Sequence, residues 1–194
     1  MFKTVSLYLL ILAAALGGCT LQAQEGLPPA EQIRLALLAA PEQFRDSATV
    51  LGYNADRQLV TLREGSNAMI CLADDPTKEG LSTACYHRDL EPFMARGREL
   101  RAAGKSFAEI RKIRGEEVKS GQLSMPDKST LHIFTGTYDP ESGEVSEGYT
   151  RFVVYLPYAS SATTGLPESP SVDGGPWIMD PGTHRAHIMI SPPR

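Results

Sequence analysis

The tightest constraint on the fold of this chain is a pair of cysteines, Cys71 and Cys85, each set inside a short β-like run. The sequence has three cysteines, and Cys19 belongs to the N-terminal segment, so two remain for the folded part. An even pair in an exported chain reads as a disulfide. Thirteen residues lie between the two, and closing a loop of that size is worth roughly 3 kcal/mol in the chain-entropy picture. The runs 68–73 and 82–88 flank Asp74-Asp75-Pro76 and predict a hairpin. Pairing them antiparallel sets the cysteines opposite one another, with Cβ atoms ~4.5–5.5 Å apart, and locks the register. The spacing is not that of a C-x-x-C redox pair, so the bridge is structural.

The first residues address the compartment. Lys3 gives a short positive start, Leu7 to Leu16 is an apolar run of ten, and Gly17-Gly18-Cys19 follows. Ten apolar residues fall short of the ~20 a spanning helix needs but suit the apolar core of a signal peptide. Leu16-Gly17-Gly18-Cys19 resembles the lipobox of bacterial lipoproteins. The resemblance implies lipidation at Cys19, which becomes the mature N-terminus, and a membrane tie by lipid anchor rather than a transmembrane helix. The alternative is ordinary cleavage after Ala23, giving a soluble periplasmic or secreted protein. On either route the protein is exported, with 1–18 a signal peptide, 19–28 a tether and 29–194 a single globular domain.

A hydrophobic fraction of 42% with 22% charged residues describes a folded chain. The net charge of −4 argues against a nucleic-acid partner. Pro29 to Ala40 opens as a helix: Pro29 suits the first turn, Glu31 favours the positive N-terminus, and Pro41 stops it. From 48 the period changes. The runs 48–53, 58–63 and 68–73, joined by two four-residue turns, predict an antiparallel meander, and 82–88 adds a fourth strand. A helix pair follows. Asp89 caps the first helix, with Leu90, Phe93, Met94, Gly97 and Leu100 inward and an end near Gly104. Ser106-Phe-Ala-Glu109 is a capping box for the second, which turns Phe107, Ile110 and Ile113 inward and closes at Gly121. Strands resume at 131–138, 151–156 and 186–190, with a polar connection at 139–148 and a long one at 159–179. The expected fold is α+β: an antiparallel sheet of about six or seven strands, an N-terminal helix and a central helix pair.

The helix pair carries the sharpest charge asymmetry. Arg96, Arg98, Arg101, Lys105, Arg111, Lys112 and Arg114 face only Glu99 and Glu109 over that stretch. Either these are solvated helix faces, or they contact anionic envelope lipid, polysaccharide or an acidic partner.

Motifs that carry chemistry are sparse. His184-Arg-Ala-His187 suggests a metal pair, with His132 and Asp180 as further ligands. Offsets of three point to opposite faces of a strand, however, and Ile188-Met-Ile190 is strand-like. No serine-hydrolase, P-loop or dinucleotide motif is present, and no cofactor is implied. Tyr155, Tyr158 and Trp177 flank the long connection and, with His187, are the candidate ligand contacts; the same aromatics equally suit the edge of a sheet core.

Asp89-Leu-Glu-Pro-Phe-Met-Ala-Arg-Gly-Arg98 and the tail from Tyr155-Leu-Pro157 through Gly175-Pro-Trp-Ile-Met-Asp-Pro-Gly182 to Ala186-His-Ile-Met-Ile190 resemble a set of uncharacterised exported bacterial proteins. That resemblance implies no activity. The expected function is a non-catalytic binding or structural module of the bacterial cell envelope. The alternative is a hydrolase or metalloenzyme with its site near His132, Asp180, His184 and His187.

Overall fold

The computed structural model describes residues 26–194. The expectations for the signal segment, for Cys19 and for most of the tether lie outside the described residues. Eight strands form one sheet: β1 (Thr49–Tyr53), β2 (Leu59–Arg63), β3 (Met69–Leu72), β4 (Leu81–His87), β5 (Ser129–Tyr138), β6 (Val145–Tyr155), β7 (Trp177–Met179) and β8 (His187–Ile190). Their order is β2-β1-β3-β4-β5-β6-β8-β7, and every neighbouring pair is antiparallel except β1 with β3. The sheet is therefore mixed, and it has more strands than the sequence suggests.

The parallel pair corrects the expected meander. Instead of turning back along β2, residues 64–68 cross the start of β1, where the Ser47 carbonyl accepts from Ser66 N (2.9 Å) and Asn67 N (3.0 Å). The crossing is backbone on backbone, and a Cβ on Gly65 would lie 2.2 Å from Thr49 N. Glycine is the residue that permits this approach. As a result β3 enters beside β1, and β2 is left at the edge.

The expected β3–β4 hairpin forms. Cys71 and Cys85 are direct cross-strand partners, fully buried, with sulfurs at disulfide distance, 2.08 Å. They share a face with Val50 and Met69, under Ala36, Ala39 and Ala40 of the N-terminal segment. That segment is α1 (Pro29–Ala36) followed by a 3-10 turn, Leu37–Ala39. Buried Gln32 docks α1 on β1 by imitating a strand. Its amide accepts from Tyr53 N (2.8 Å) and donates to Tyr53 O (2.9 Å), which satisfies a backbone unit that would otherwise face the helix unpaired.

The opposite face carries Tyr86, Leu131, Val153, Tyr155 and Met189 against Leu90 and Phe93. Here lie α2 (Glu91–Ala102) and α3 (Phe107–Lys119). Asp89 is not the cap of α2. It lies inside a 3-10 turn, Arg88–Leu90, and the His87 ring accepts from its N–H at 3.3 Å. The Ser106–Glu109 capping box of α3 is formed as expected.

Two further strand segments carry no readable alternation. β6 begins at Val145 rather than near 151, because Val145 and Ser146 pair with Tyr138 and Thr137. β7 is three residues long and occupies the far edge, paired only with β8. The long connection also holds a single helical turn, α4 (Ser161–Thr164).

Candidate functional site

The β7–β8 turn is braced by hydrogen bonds within itself and to the end of β6. Asp180 takes left-handed backbone angles (φ 54°), a conformation aspartate tolerates better than most side chains, and Gly182 does so at φ 72°. Thr183 donates its hydroxyl to the Asp180 carbonyl (2.8 Å) and accepts from Arg185 N (3.1 Å). Leu156 N to Ala186 O (2.9 Å), Tyr158 N to Thr183 O (2.8 Å) and Gly182 N to Ala159 O (2.7 Å) tie the turn to the end of β6. So fixed, it presents Asp180, Thr183, His184 and Arg185 to the N-terminal half of α3.

The facing helix side is not the expected one. Phe107 is 59% exposed, whereas Arg114, one residue of the basic stretch, is buried beside Ile110. The Arg114 guanidinium lies 4.0 Å from the Phe93 ring centroid and donates to the Phe93 carbonyl at 3.0 Å. Gly97 makes room for it, since a Cβ there would come 2.8 Å from Arg114 Nη1. An arginine can replace an apolar residue in such a contact because its flat, weakly hydrated cation stacks on an aromatic face. Burial, then the Arg185 charge, pulls the Arg114 pKa down to about 10.

Between α3 and the turn lies a cleft of about 490 Å³ lined by Phe107, Ala108, Arg111, Lys112, Thr183, His184 and Arg185. Asp180 is the carboxylate bonded to its cations: Arg111 reaches it at 2.9 Å and Arg185 at 3.3 Å. Three cationic side chains on the cleft wall (Arg111, Lys112, Arg185) against that one carboxylate give a local charge of +2, with Arg114 packed behind them on Phe93. Hydrogen-bonding capacity is left over as well. Arg185 Nη1, His184 Nε2 and Arg114 Nε are buried with no partner. An unmet buried donor costs ~1–3 kcal/mol, so native chains seldom keep several together without a use. Burial, followed by the charges of Arg185, Arg114 and Arg111, holds the His184 imidazole below its ordinary pKa, with Asp180 opposing.

No nucleophile stands beside a base in this arrangement: Thr183 spends its hydroxyl on backbone, and Asp180 is engaged by two guanidiniums. What the geometry offers is fixed positive charge and free donors in a cleft, which is the chemistry of anion binding.

Comparison with protein-family models, with curated proteins and with solved structures returns no match. The site therefore has to be read from its own geometry.

The sequence candidates separate. Asp180 and His184 belong to the cleft region, but His187 is 5% exposed in the core, with its Nδ1–H donating to Arg185 O at 2.6 Å and its ring 5.3 Å from Tyr155. His132 lies on the other face of the sheet, edge-on to Phe152 at 5.5 Å. Among the described residues no three His, Cys, Asp or Glu side chains come together to hold a metal. Tyr155 is buried behind the cluster, Trp177 is half-buried on β7, and Tyr158 stands 55% exposed on the loop, so these aromatics do not form one wall.

The basic stretch does not act as one face either. Arg96 pairs with Glu117 (2.6 Å) and Glu99 (3.1 Å), Arg98 with Glu91 (2.6 Å), and Lys105 with Glu109 (3.5 Å). Arg101 and Lys112 have no ion-pair partner among the described residues. Phe107, Thr183 and Arg185 were not legible as site residues, because their role depends on α3 meeting a turn some 70 residues later. A larger cleft of about 680 Å³ lies by Thr49, Ile70, Arg88, Glu91 and Pro92, but its polar groups are satisfied. Glu91 accepts from Tyr86 and Arg98, and Arg88 donates to the Asn67 carbonyl. No orphaned buried polar atom lines it.

Proposed function

We propose that the protein is a non-catalytic binding module of the bacterial cell envelope whose ligand presents an anionic group to the cleft between α3 and the β7–β8 turn. The observation that carries this reading is the buried, unpartnered guanidinium nitrogen Arg185 Nη1, together with the unpartnered ring nitrogen His184 Nε2, at a cleft where positive charge exceeds negative. Charged hydrogen bonds to an anion repay that deficit more fully than neutral ones would. The envelope assignment rests on the signal-like N-terminus with its lipobox-like Cys19 and on the buried cysteine pair, which suits an oxidising compartment. Among the described residues no helix is long and apolar enough to cross a membrane, so the proposed tie to the membrane is the lipid on Cys19.

Sulfate against chloride at matched ionic strength tests the anion reading. A ligand at one hundred times its dissociation constant stabilises by ~2.7 kcal/mol, which is a rise in melting temperature of roughly 5–10 °C for a chain of this size. Sulfate is expected to give such a rise and Arg185→Met to abolish it. Equal melting in both salts, or an unchanged sulfate response in Arg185→Met, counts decisively against the proposal.

A further inference from the structure

We infer that the ligand of this cleft is a phosphate ester carrying an apolar group, the chemistry of an anionic lipid headgroup with its chain, the phosphate lying against Arg185, His184 and Lys112 and the apolar part over Phe107. The inference rests on the anion-binding reading above and adds to it the size, charge and apolar half of the ligand.

Three independent features converge. The first is size: about 490 Å³ falls within the range of pockets that take organic ligands, and a bare inorganic ion would leave most of it empty. The second is charge and donor number. Three cationic side chains line the cleft, two of them guanidinium forks, and they exceed what a two-oxygen carboxylate with one negative charge can use. A phosphate ester brings three free acceptor oxygens and up to two charges, which matches the local +2 more closely.

The third is Phe107. It is the most exposed aromatic among the described residues' large hydrophobics, and it stands on the cleft wall rather than in the core. The guanidiniums of Arg185 and Arg111 lie 5.5 and 5.8 Å from its ring centroid, at the outer limit of cation–π contact. The ring is thus held beside the cations while its outer face meets solvent. An apolar group joined to a phosphate would cover that face at the same moment as the phosphate meets the donors. A purely polar anion has no use for it.

Calorimetric titration of the purified protein with inorganic phosphate, glycerol phosphate and hexyl phosphate separates the possibilities. Hexyl phosphate is expected to bind about tenfold more tightly than inorganic phosphate, the effect of roughly two methylenes removed from water. Glycerol phosphate, an ester without the apolar group, is expected to match inorganic phosphate within about twofold. Phe107→Ser should bring hexyl phosphate down to the affinity that the same variant shows for inorganic phosphate, with both still bound, which a general loss of folding would not do. Equal affinity for the hexyl and glycerol esters, or a hexyl gain that survives Phe107→Ser, overturns the inference while leaving the anion site standing. Absence of binding by all three overturns both. Co-sedimentation of the Cys19→Ser protein, which lacks a lipid of its own, with vesicles rich in phosphatidic acid distinguishes the source. Capture lost in both Arg185→Met and Phe107→Ser supports a bilayer headgroup, and hexyl phosphate binding without vesicle capture supports a soluble ester of the same chemistry.

Discussion

Asp180→Asn is the substitution that best distinguishes an anion site from a knot of structural ion pairs. Asparagine is nearly isosteric with aspartate and equally tolerant of the left-handed angles at this position, so the turn keeps its shape. The change removes the carboxylate that holds Arg111 at 2.9 Å and Arg185 at 3.3 Å, and the local charge rises from +2 to +3. Consider an anion seated about 6 Å from the former carboxylate. Two unit charges at that distance repel by about 2.8 kcal/mol at an effective dielectric of ~20. Screening over a Debye length of ~8 Å roughly halves this, leaving about 1.3 kcal/mol, close to a factor of ten. Each unit of anion charge is therefore worth about a factor of ten, and sulfate, which carries two, is expected to bind roughly ten- to a hundredfold more tightly to Asp180→Asn than to the parent.

The same substitution should cost stability in the absence of anion. Asp180 is mostly buried (18% exposed), as is Arg185 (13%), while Arg111 is 42% exposed and contributes little through a solvent-screened pair. Leaving Arg185 without its counter-ion costs about 1–2 kcal/mol, seen as a drop of roughly 3–6 °C in melting temperature. Calorimetric titration with sulfate and a thermal melt in chloride measure the two effects on one preparation. A purely structural role for the cluster predicts the loss of stability with no gain in affinity. Sulfate affinity equal to or weaker than that of the parent would refute the assignment of the cleft as an anion site.

Four shorter predictions follow from the fold and the cleft. Burial holds His132, His184 and His187 below the ordinary histidine pKa of 6.5, so the unfolded chain takes up protons first as pH falls and stability declines below about pH 6.5. Melting temperatures between pH 8 and 5 read this decline, and His184→Gln should flatten it. Sulfate, which does not titrate in this range, should bind more tightly as pH falls, because a bound anion favours the imidazolium of His184 over the neutral ring that burial, and then Arg185, Arg114 and Arg111, otherwise favour. Gly65→Ala would bring a methyl 2.2 Å from Thr49 N at the backbone crossing and is expected to cost roughly 4 kcal/mol or more, visible as a collapsed urea midpoint. Cys71→Ser should lower stability by about 3 kcal/mol, and reductant alone should act slowly on the native protein because both sulfurs are fully buried.

Local chemistry was the legible part of this chain. The capping box at Ser106, the stops at Gly104 and Gly121, the inward Phe93 and Leu100 and the Cys71–Cys85 hairpin are consequences of neighbouring residues, and each forms. What escaped is decided by distant partners. The course of residues 64–68 depends on Ser47 accepting two hydrogen bonds, and a short polar turn looks alike whether it folds back or crosses. Helical periodicity placed Phe107 inward and Arg114 on a solvated face, but the stack of Arg114 on Phe93, made possible by the missing side chain at Gly97, reverses the two. Hydrophobic patterning has no symbol for an arginine that packs.

His184-Arg-Ala-His187 shows how one motif divides between two tasks. His187 begins β8, and strand parity sends it into the core, where its Nδ1–H is spent on Arg185 O. His184 precedes the strand, in the turn, and its ring packs edge-on to Phe93 at 5.7 Å. Its Cε1 would stand 2.9 Å from a Cβ on Gly115, so α3 comes this close only because residue 115 is glycine. Gly97 receives Arg114 on the facing helix in the same way. The two helical glycines, each costing ~1 kcal/mol of helix propensity relative to alanine, thus mark where the site is assembled. Their cost is what lets α2, α3 and the β7–β8 turn bring cationic groups together from sequence positions about 70 residues apart. On this account Gly115→Ala should gain helix propensity yet lose sulfate affinity, because the ring of His184 must shift by several tenths of an ångström. A variant that melts higher and binds sulfate as well as the parent would show that the close approach serves packing alone.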